Sequence, residues 1–186
     1  MKTNVADTTI HTLPHAFVDK RGVPFLVTTL DQSRHQQLIN MYLAYRPRYS
    51  FSGLPPIENE ACVQWVRGLI ATGINLIATS ADDGVVGHAA LFPIDKKRCE
   101  MLTVVSPRCQ KSGIGSELIR CCIQLVRERY FERIWLIVEA KNHVARHVYE
   151  KCGFKYLARD FSCQLEMSLN VQHHTDTASI VMRELK

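Results

Sequence analysis

The sequence predicts an α+β fold, in which a central mixed but mostly antiparallel sheet is flanked by helices. The first observation is the order of apolar periodicities, which follow strand or helix spacing as β-α-α-β-β-β-α-β-α-β-β. The second is that three of these strands follow one another with only tight turns between them, which a chain of βαβ units would not show. Because 186 residues suit one domain, we expect residues 1–186 to form a single unit.

The first third of the chain contains one strand and two helices. Residues 1–20 show no clear period and are interpreted as a loose leader, and residues 25–30 form a short apolar strand. A helix starts near Ser33 and ends before Pro47, because proline cannot continue a helix. A second helix ends near Gly73 and presents one apolar face, formed by Cys62, Trp65, Val66 and Leu69.

The middle of the chain changes to strand periodicity. Residues 75–79 and 85–92 are predicted to pair as a hairpin through the turn Asp82-Asp83-Gly84. A third strand over residues 100–105 ends at Ser106-Pro107. These strands form the predicted antiparallel part of the sheet.

The last third mixes helices and strands. The longest helix covers residues 113–130, and residues 134–138 form a continuous apolar run that predicts a strand buried on both faces. Asn142 is placed to cap a short helix, and Gly153 stands where a glycine commonly ends one. Two late strands are predicted at residues 154–159 and 180–185.

Composition indicates a globular protein in a reducing compartment. Seven cysteines, an odd number without a C-x-x-C pair, favour reduced core thiols over a disulfide framework or a zinc site. The first 20 residues contain no apolar stretch typical of a signal peptide, and the apolar run 85–94 is too short to span a bilayer. We therefore expect a cytoplasmic protein without a membrane partner. The net charge of +5 fits either an anionic ligand or an ordinary solvated surface.

A glycine-containing turn connects the third hairpin strand to the longest helix. It reads Val105-Ser-Pro-Arg-Cys-Gln110-Lys-Ser-Gly113-Ile-Gly115. The unpaired N–H groups of a first helical turn attract anions, and glycines let the backbone approach a bulky ligand. Arg108 and Lys111 add positive charge, so the turn is a candidate pyrophosphate site. It lacks the P-loop lysine and the full dinucleotide-binding pattern, and taken alone it also fits a plain glycine-rich helix start.

A second segment favours the interpretation of this turn as a phosphate site over a plain helix start. It reads Asn142-His-Val-Ala-Arg-His-Val-Tyr149-Glu-Lys-Cys-Gly153-Phe154 and follows after one helix and one strand. Together the segments resemble the two hallmark motifs of the GNAT superfamily of N-acetyltransferases, V-x-P-x-x-[QR]-x-x-G-x-G and N-x-x-A-x-x-ϕ-Y-E-K-x-G-F, where ϕ is apolar. The resemblance is close over residues 85–154 and looser toward both ends.

The resemblance implies a GNAT-like fold and acetyl-CoA as co-substrate. In this family the first motif closes on the pyrophosphate, the preceding strand pairs with the pantetheine arm, and the second motif lies along that arm. The residues that match these roles are Val104, Val105, Gln110, Lys111, Ser112, Gly113, Ile114, Gly115, Ser116 and Asn142. Asn142 has the alternative role of a helix cap alone. No metal site is predicted, because His143 and His147 have the spacing of paired ligands but lack a third one.

Amide formation requires a neutral amine and a proton for the leaving thiolate. An alkyl ammonium with a pKa near 10.4 must lose a proton, which costs about 4.6 kcal/mol at pH 7. By resemblance Tyr149 is the candidate general acid, with helix packing as its alternative role. Glu100 is the first candidate base, Glu139 is the second, and a water relay is the third explanation.

The resemblance also implies that the first two helices, their connecting loop and the late strands select the acceptor. The candidate residues there are Tyr45, Arg46, Arg48, Tyr49, Phe51 and Trp65. The leading function is acetylation of a primary amine of a small molecule. Three alternatives stay open, namely acylation of a protein lysine or N-terminus, acylation of an aminoacyl-tRNA, and acyl-CoA binding without catalysis. A homodimer is also open, and other nucleic acid partners are not expected.

Overall fold

The computed structural model describes residues 12–48, 54–157 and 163–171, which build one sheet with helices on both faces. The strands are β1 (His15–Val18), β2 (Pro24–Thr29), β3 (Ile74–Ser80), β4 (Gly84–Pro93), β5 (Arg98–Val105), β6 (Arg133–Glu139), β7 (Lys155–Tyr156) and β8 (Gln164–Asn170). The helices are α1 (His35–Ala44), α2 (Asn59–Thr72), α3 (Ile114–Glu128) and α4 (His143–Lys151). From β2 onward this is the predicted order, so the α+β class is confirmed.

The strands lie side by side in the order β1-β2-β3-β4-β5-β6-β8-β7. Every neighbouring pair is antiparallel except β5 and β6, which are parallel, so the expected mixed, mostly antiparallel sheet is confirmed. The parallel pair is short. It runs from Arg98 opposite Arg133 to Glu100 opposite Trp135, whereas both strands continue well beyond that point. A cleft therefore opens between β5 after Glu100 and β6 after Trp135.

Two apolar cores lie on opposite faces of the sheet. The first core packs α3 and α4 against the sheet, and it includes Cys99 and Met101 of β5. The second core packs α1 and α2 against the other face, and it includes Leu102 and Val104. Because successive strand residues point to opposite faces, the odd-numbered residues of β5 face α3 and α4, and the even-numbered residues face the side of α1 and α2.

Both ends of α4 are fixed by hydrogen bonds that the sequence encodes. Asn142 Oδ1 accepts a backbone hydrogen bond from the first turn at 3.0 Å, as a capping residue should. At the other end the Phe154 N–H donates to Tyr149 O and the Gly153 N–H to Glu150 O, both at 3.0 Å. Gly153 has a φ of +95°, which completes a Schellman motif. The motif also brings the Phe154 ring within 5.6 Å of Tyr149, so the helix end fixes the tyrosine.

The loose leader predicted for residues 1–20 is wrong in its last part. Residues 15–18 form β1, which pairs with β2 and stacks Phe17 on Phe25 with ring centroids 5.6 Å apart. Four residues are too few for a period to be recognised against their surroundings. Residues 1–11 lie outside the described residues.

The strand at residues 134–138 is also not buried on both faces. Ile134, Leu136 and Val138 are buried against α3 and α4, but Ile137 is 45% exposed. An apolar run therefore does not prove that both faces of a strand are buried. The second face of β6 is uncovered because α1 and α2 pack over the other half of the sheet.

The late strands differ from the prediction as well. Residues 154–159 contribute only the short β7, and residues 158–162 lie outside the described residues. The longer strand is β8, whose apolar residues Leu165, Met167 and Leu169 alternate with polar ones, and the sequence analysis overlooked this strand pattern. Residues 180–185 also lie outside the described residues.

A buried chain of hydrogen bonds ties α1 to the sheet and to the end of α2. The Tyr42 hydroxyl lies 2.8 Å from His88 Nδ1, and His88 Nε2 lies 2.9 Å from Asn75 Oδ1. An amide oxygen only accepts, so Nε2 carries the proton and Nδ1 accepts from Tyr42. The Asn75 amide nitrogen donates to three carbonyls where α2 ends, those of Leu69, Ile70 and Gly73. Burial lowers the pKa of His88 to about 3, so its ring is neutral at pH 7.

We expect His88 to make stability fall as the pH drops from 6.5 toward 3. The unfolded chain protonates this histidine near pH 6.5, and the folded chain only near pH 3, so the stabilisation is complete above 6.5 and lost below it. At pH 5 the loss is about 2 kcal/mol, from 1.5 pH units at 1.36 each. Urea unfolding at pH 7 and pH 5 should show this loss in the wild type and not in His88→Gln. The exposed His143 offers a control, since His143→Gln should keep the wild-type pH dependence.

Candidate active site

The cleft exposes backbone groups that lack a strand partner. The Ser106 N–H donates to Val86 O at 2.8 Å, which fixes the alternation of the β4–β5 ladder. By that alternation the even-numbered residues of β5 direct their peptide groups to β4, and the odd-numbered residues direct theirs toward β6. The pairing of Glu100 with Trp135 uses the Met101 N–H, so it is Thr103 and Val105, beyond this pair, that direct their peptide groups into the cleft. An extended ligand with amide groups can pair with these two residues as a strand would.

This geometry separates the two valines that were predicted together. Val105 lies at the cleft, whereas the peptide groups of Val104 face β4 and its side chain packs in the second core. The Asn142 side chain is already used as the cap of α4. Ile114 is fully buried in the first core, so only its backbone is available to a ligand.

The turn between β5 and α3 has the open shape of an anion cradle. Gly113, the N-cap of α3, has a φ of +105°, and no atom lies within 4 Å of the position that a Cβ would take there. A Cβ on Gly115 would contact Val105 Cγ2 at 3.5 Å. Lys111 also has a positive φ, of 62°, and its side chain is exposed. The residues fit a phosphorylated ligand, because the helix N-terminus, the open glycine and the lysine lie on one turn.

The cradle is held from behind by the turn between β1 and β2. The Lys20 N–H donates to Ser112 O at 3.0 Å, and Arg21 Nη1 donates to Arg108 O at 3.5 Å. Both bonds use carbonyl groups of the cradle. The side chain of Asp19 is fully buried and holds Arg21 Nε at 2.9 Å. The sequence analysis missed this support because it placed Asp19 and Lys20 in the leader and gave Arg21 no role.

Two polar side chains predicted to bind the cofactor already have partners in the protein. Gln110 Nε2 donates to Val105 O at 3.2 Å and to Tyr45 Oη at 3.3 Å, which links the cradle to β5 and to the residue after α1. Ser112 Oγ donates to Cys109 O at 2.6 Å inside the turn. These bonds shape the cradle, and Ser116 follows in the first turn of α3.

Tyr149 lies on α4 in the first core and is only 8% exposed. Burial raises the pKa of Tyr149 to about 12, and the nearby Thr103 hydroxyl offsets part of this rise. The tyrosine is therefore protonated at pH 7, as a proton donor must be. Thr103 Oγ1 is itself buried and forms no well-oriented hydrogen bond within the described chain. The sequence analysis missed Thr103, since threonine is an ordinary strand residue.

The candidate bases lie on the opposite face of the sheet from Tyr149. Glu100 is an even-numbered residue of β5, half-buried beside Trp135, and burial raises the pKa of its carboxyl group. Glu139 ends β6 on the same face and lies 3.4 Å from Lys141 Nζ. The Trp135 indole N–H donates to Glu166 Oε2 at 3.2 Å, which brings a third carboxylate to this face. The structure therefore groups the carboxylates but does not place them beside the tyrosine.

The predicted acceptor residues are only partly available. Arg46 Nη1 donates to the carbonyls of Leu43 and Tyr45, and the terminal nitrogens of Arg48 donate to the carbonyls of Leu43 and Ile57 near the end of α1. Arg48 Nε is buried and has no hydrogen-bond partner among the described residues. Trp65 packs edge-on against Tyr42 with centroids 5.2 Å apart. Tyr49 and Phe51 lie outside the described residues.

One cavity lies away from the cleft. It has a volume of about 390 Å³ and is lined by α1, the turn between β3 and β4, and residues 106–108. Tyr149 and Glu100 are not among its lining residues, so the cleft and not this cavity is the candidate site.

The described residues contain no group of three His, Cys, Asp or Glu that could hold a metal ion. All seven cysteines are free, and five of them are buried. Among the helices that the structure describes, none combines the length and the apolar character needed to cross a membrane.

The fold and site thus define an α+β protein whose parted strands and glycine turn receive an extended, phosphorylated ligand. The model of the acetyltransferase (GNAT) family matches residues 36–154, and the chain belongs to this family. GNAT enzymes use acetyl-CoA, and the open cradle fits it. No curated protein sequence matches the chain.

Solved structures share the fold at low sequence identity. The GNAT domain of S. lividans PAT has a TM-score of 0.71 at 15% identity, over 83% of this chain and 95% of that one. The ribosomal-protein-S18-alanine N-acetyltransferase from Escherichia coli has a TM-score of 0.63 at 16% identity, over 82% and 97%. Spermidine N-acetyltransferase from Vibrio cholerae, solved with CoA and spermine, has a TM-score of 0.62 at 19% identity, over 79% and 95%. Their acceptors differ, so the likeness does not identify the acceptor.

We expect acetyl-CoA to raise the melting temperature, because a ligand that binds only the folded state stabilises it. At 100 times its Kd the gain is about 2.7 kcal/mol, or roughly 5–10 °C for a domain of this size. Gly113→Asp should abolish the shift by placing a negative charge at the phosphates. Gly113→Asn has the same size without the charge and tolerates a positive φ, so it should retain part of the shift. An equal shift in wild type and a folded Gly113→Asp would contradict the cradle assignment.

Proposed function

We propose that this chain, as one acyltransferase domain over residues 1–186, transfers an acetyl group from acetyl-CoA to a primary amine of a small molecule. The observation that carries the proposal is the cleft itself. It has peptide groups along β5 that lack a strand partner, an open glycine cradle at one end, and a protonated tyrosine on its α4 side. A thioester held along β5 would reach both the cradle and Tyr149.

The chain contributes binding groups along the whole cleft. Backbone N–H groups at Gly113 and Gly115 and the Lys111 ammonium would hold the pyrophosphate. The peptide groups of Thr103 and Val105 would pair with the amides of the pantetheine arm. An N–H of this strand would also polarise the thioester carbonyl, whose oxygen becomes negative during attack. Acetyl-CoA supplies the acetyl group as an activated thioester.

The transfer requires two proton movements on opposite sides of the thioester. The amine nitrogen forms a bond to the carbonyl carbon and loses a proton, and the carbon–sulfur bond breaks. The departing sulfur then takes the hydroxyl proton of Tyr149. The buried site keeps the phenol protonated, and so available as a donor, until the thiolate forms beside it.

A carboxylate on the other face would take the proton of the amine. Glu100 is our first candidate, because burial raises its pKa and makes it a better proton acceptor than an exposed glutamate. Glu139 is the alternative, and its Oε2 lies 3.4 Å from Lys141 Nζ. A water relay through this face is the third possibility.

The charges on that face support an amine as acceptor. Glu100 lies beside Trp135, Glu166 accepts a hydrogen bond from its indole, and amines arrive mainly as cations that such carboxylates attract. The arginines that could bind an acceptor carboxylate are held by carbonyl groups. All seven cysteines are free. This supports a cytoplasmic location, because cysteines of proteins in oxidising compartments commonly form disulfides.

Thiol release from acetyl-CoA with a panel of amines tests the function. The panel should contain polyamines, amino acids, aryl alkyl amines and a short peptide with a free N-terminus and lysine. We expect release with a small amine, and Tyr149→Phe should lower turnover by about 10²-fold or more while acetyl-CoA binding stays nearly unchanged.

Each outcome of the panel has one interpretation. Release with the peptide alone would reassign the acceptor to proteins. Acetyl-CoA binding without release from any amine would indicate a binding module. Wild-type turnover in Tyr149→Phe would reduce the tyrosine to packing.

The pH dependence of turnover should identify the base. Glu100→Gln keeps the size of the side chain and removes its basicity, so turnover should fall by about 10²-fold at neutral pH and recover partly above about pH 9, where more amine is already neutral. Glu139→Gln is the matched control on the same face and should keep the wild-type profile. If the two variants exchange behaviour, Glu139 is the base, and if neither changes the profile, a water relay carries the proton.

A further inference from the structure

Thr103 carries an unsatisfied hydroxyl at the centre of the candidate site. Its Oγ1 is buried and has no well-oriented hydrogen-bond partner in the part of the chain that the structure describes. Buried hydroxyl groups are normally paired, because desolvation without a partner is destabilising. We therefore ask whether this hydroxyl forms a hydrogen bond in another state of the protein, such as a step of the reaction.

The position of Thr103 connects it to one partner. It is an odd-numbered residue of β5, so its side chain faces α3 and α4, on the same side of the sheet as Tyr149. The Thr103 hydroxyl lies close enough to Tyr149 to lower the pKa of its phenol. The thiols of Cys122 and Cys152 have the opposite effect, because they disfavour a negative charge beside them.

We propose that the Thr103 hydroxyl donates a hydrogen bond to Tyr149 Oη while Tyr149 gives its own proton to the departing sulfur. The inference rests on the proposed acetyltransferase function and assigns Thr103 as a positioning residue for the acid. A phenol oxygen can accept one hydrogen bond as it donates another. In the resting protein Tyr149 is neutral and accepts weakly, which explains why the two hydroxyls are neighbours without a well-formed bond.

The proton balance of the step is complete. The carbon–sulfur bond breaks, its electron pair goes to sulfur, and the Tyr149 proton follows to give the free thiol. The phenolate that this leaves is stabilised by the Thr103 O–H, and it regains a proton from water when the thiol departs. Without Thr103 the negative charge would form next to two thiols in an apolar core.

Thr103→Val tests the proposal, because valine has the shape of threonine and lacks the hydroxyl. We expect kcat to fall about tenfold with an unchanged Kd for acetyl-CoA, while the melting temperature stays equal or rises because an unpaired polar group is gone. Thr103→Ser keeps the hydroxyl and should restore most of kcat. In a Tyr149→Phe background the Thr103→Val change should have no further effect, since its partner atom is absent.

Thr79→Val is the matched control. The Thr79 hydroxyl is buried in β3 and donates to Leu26 O at 3.3 Å, away from the cleft. Its loss should lower the melting temperature and leave kcat unchanged, which is the opposite pattern to that of Thr103→Val. If Thr103→Val does not fold, Thr103→Ala is measured against Thr103→Ser instead.

Two results would overturn the assignment while the proposed function stands. One is wild-type kcat in Thr103→Val, and the other is an equal tenfold loss in the Tyr149→Phe background, which would mean that Thr103 does not act through the tyrosine. If the wild type releases no thiol with any amine, the proposed function fails and this assignment fails with it.

Discussion

The site depends on the separation of β5 from β6. Three residue pairs join the two strands, and then each continues alone, which leaves the inward peptide groups of Thr103 and Val105 without a strand partner. Unpaired peptide groups are costly, so such an opening survives only if both sides are held independently. They are: β4 pairs with β5 as far as Val105, and β8 pairs with β6 as far as Glu139. The cleft is therefore stable because each of its walls belongs to its own antiparallel ladder.

Several local departures from ideal structure lie along this cleft. Lys111 and Gly113 adopt positive φ angles in the cradle, and the Thr103 hydroxyl is buried without a good partner. Even the hydrogen bond to Val105 O comes from the side chain of Gln110 and not from a strand. Strained and unsatisfied groups persist only where the surrounding structure enforces them, and they commonly mark functional sites. Here the enforcing elements are the β1–β2 turn behind the cradle and the capped ends of α4.

Sequence reasoning reached the features that depend on local pattern and missed those that depend on tertiary arrangement. The glycine turn, the cap at Asn142 and the glycine after α4 follow from local chemistry, and the structure has all of them. The exposure of Ile137 could not be predicted, because it depends on which part of the sheet α1 and α2 cover. The face of Glu100 depends on the strand register, and the unsatisfied state of Thr103 depends on what packs around it.

The two faces of the sheet divide the chemistry by their electrostatic environments. A proton donor is best kept in an apolar core, where burial favours its neutral form, and Tyr149 lies in such a core with α3 and α4. A group that takes a proton from an ammonium must keep contact with water and attract a cation, and the carboxylates around Trp135 lie on the other, partly exposed face. The cleft is the place where the sheet lets the two environments meet. In the proposed function an acceptor amine approaches from the carboxylate side, so differences in acceptor are expected to arise from α1, α2 and the outer face of β6 and β8, and not from the cradle or α4.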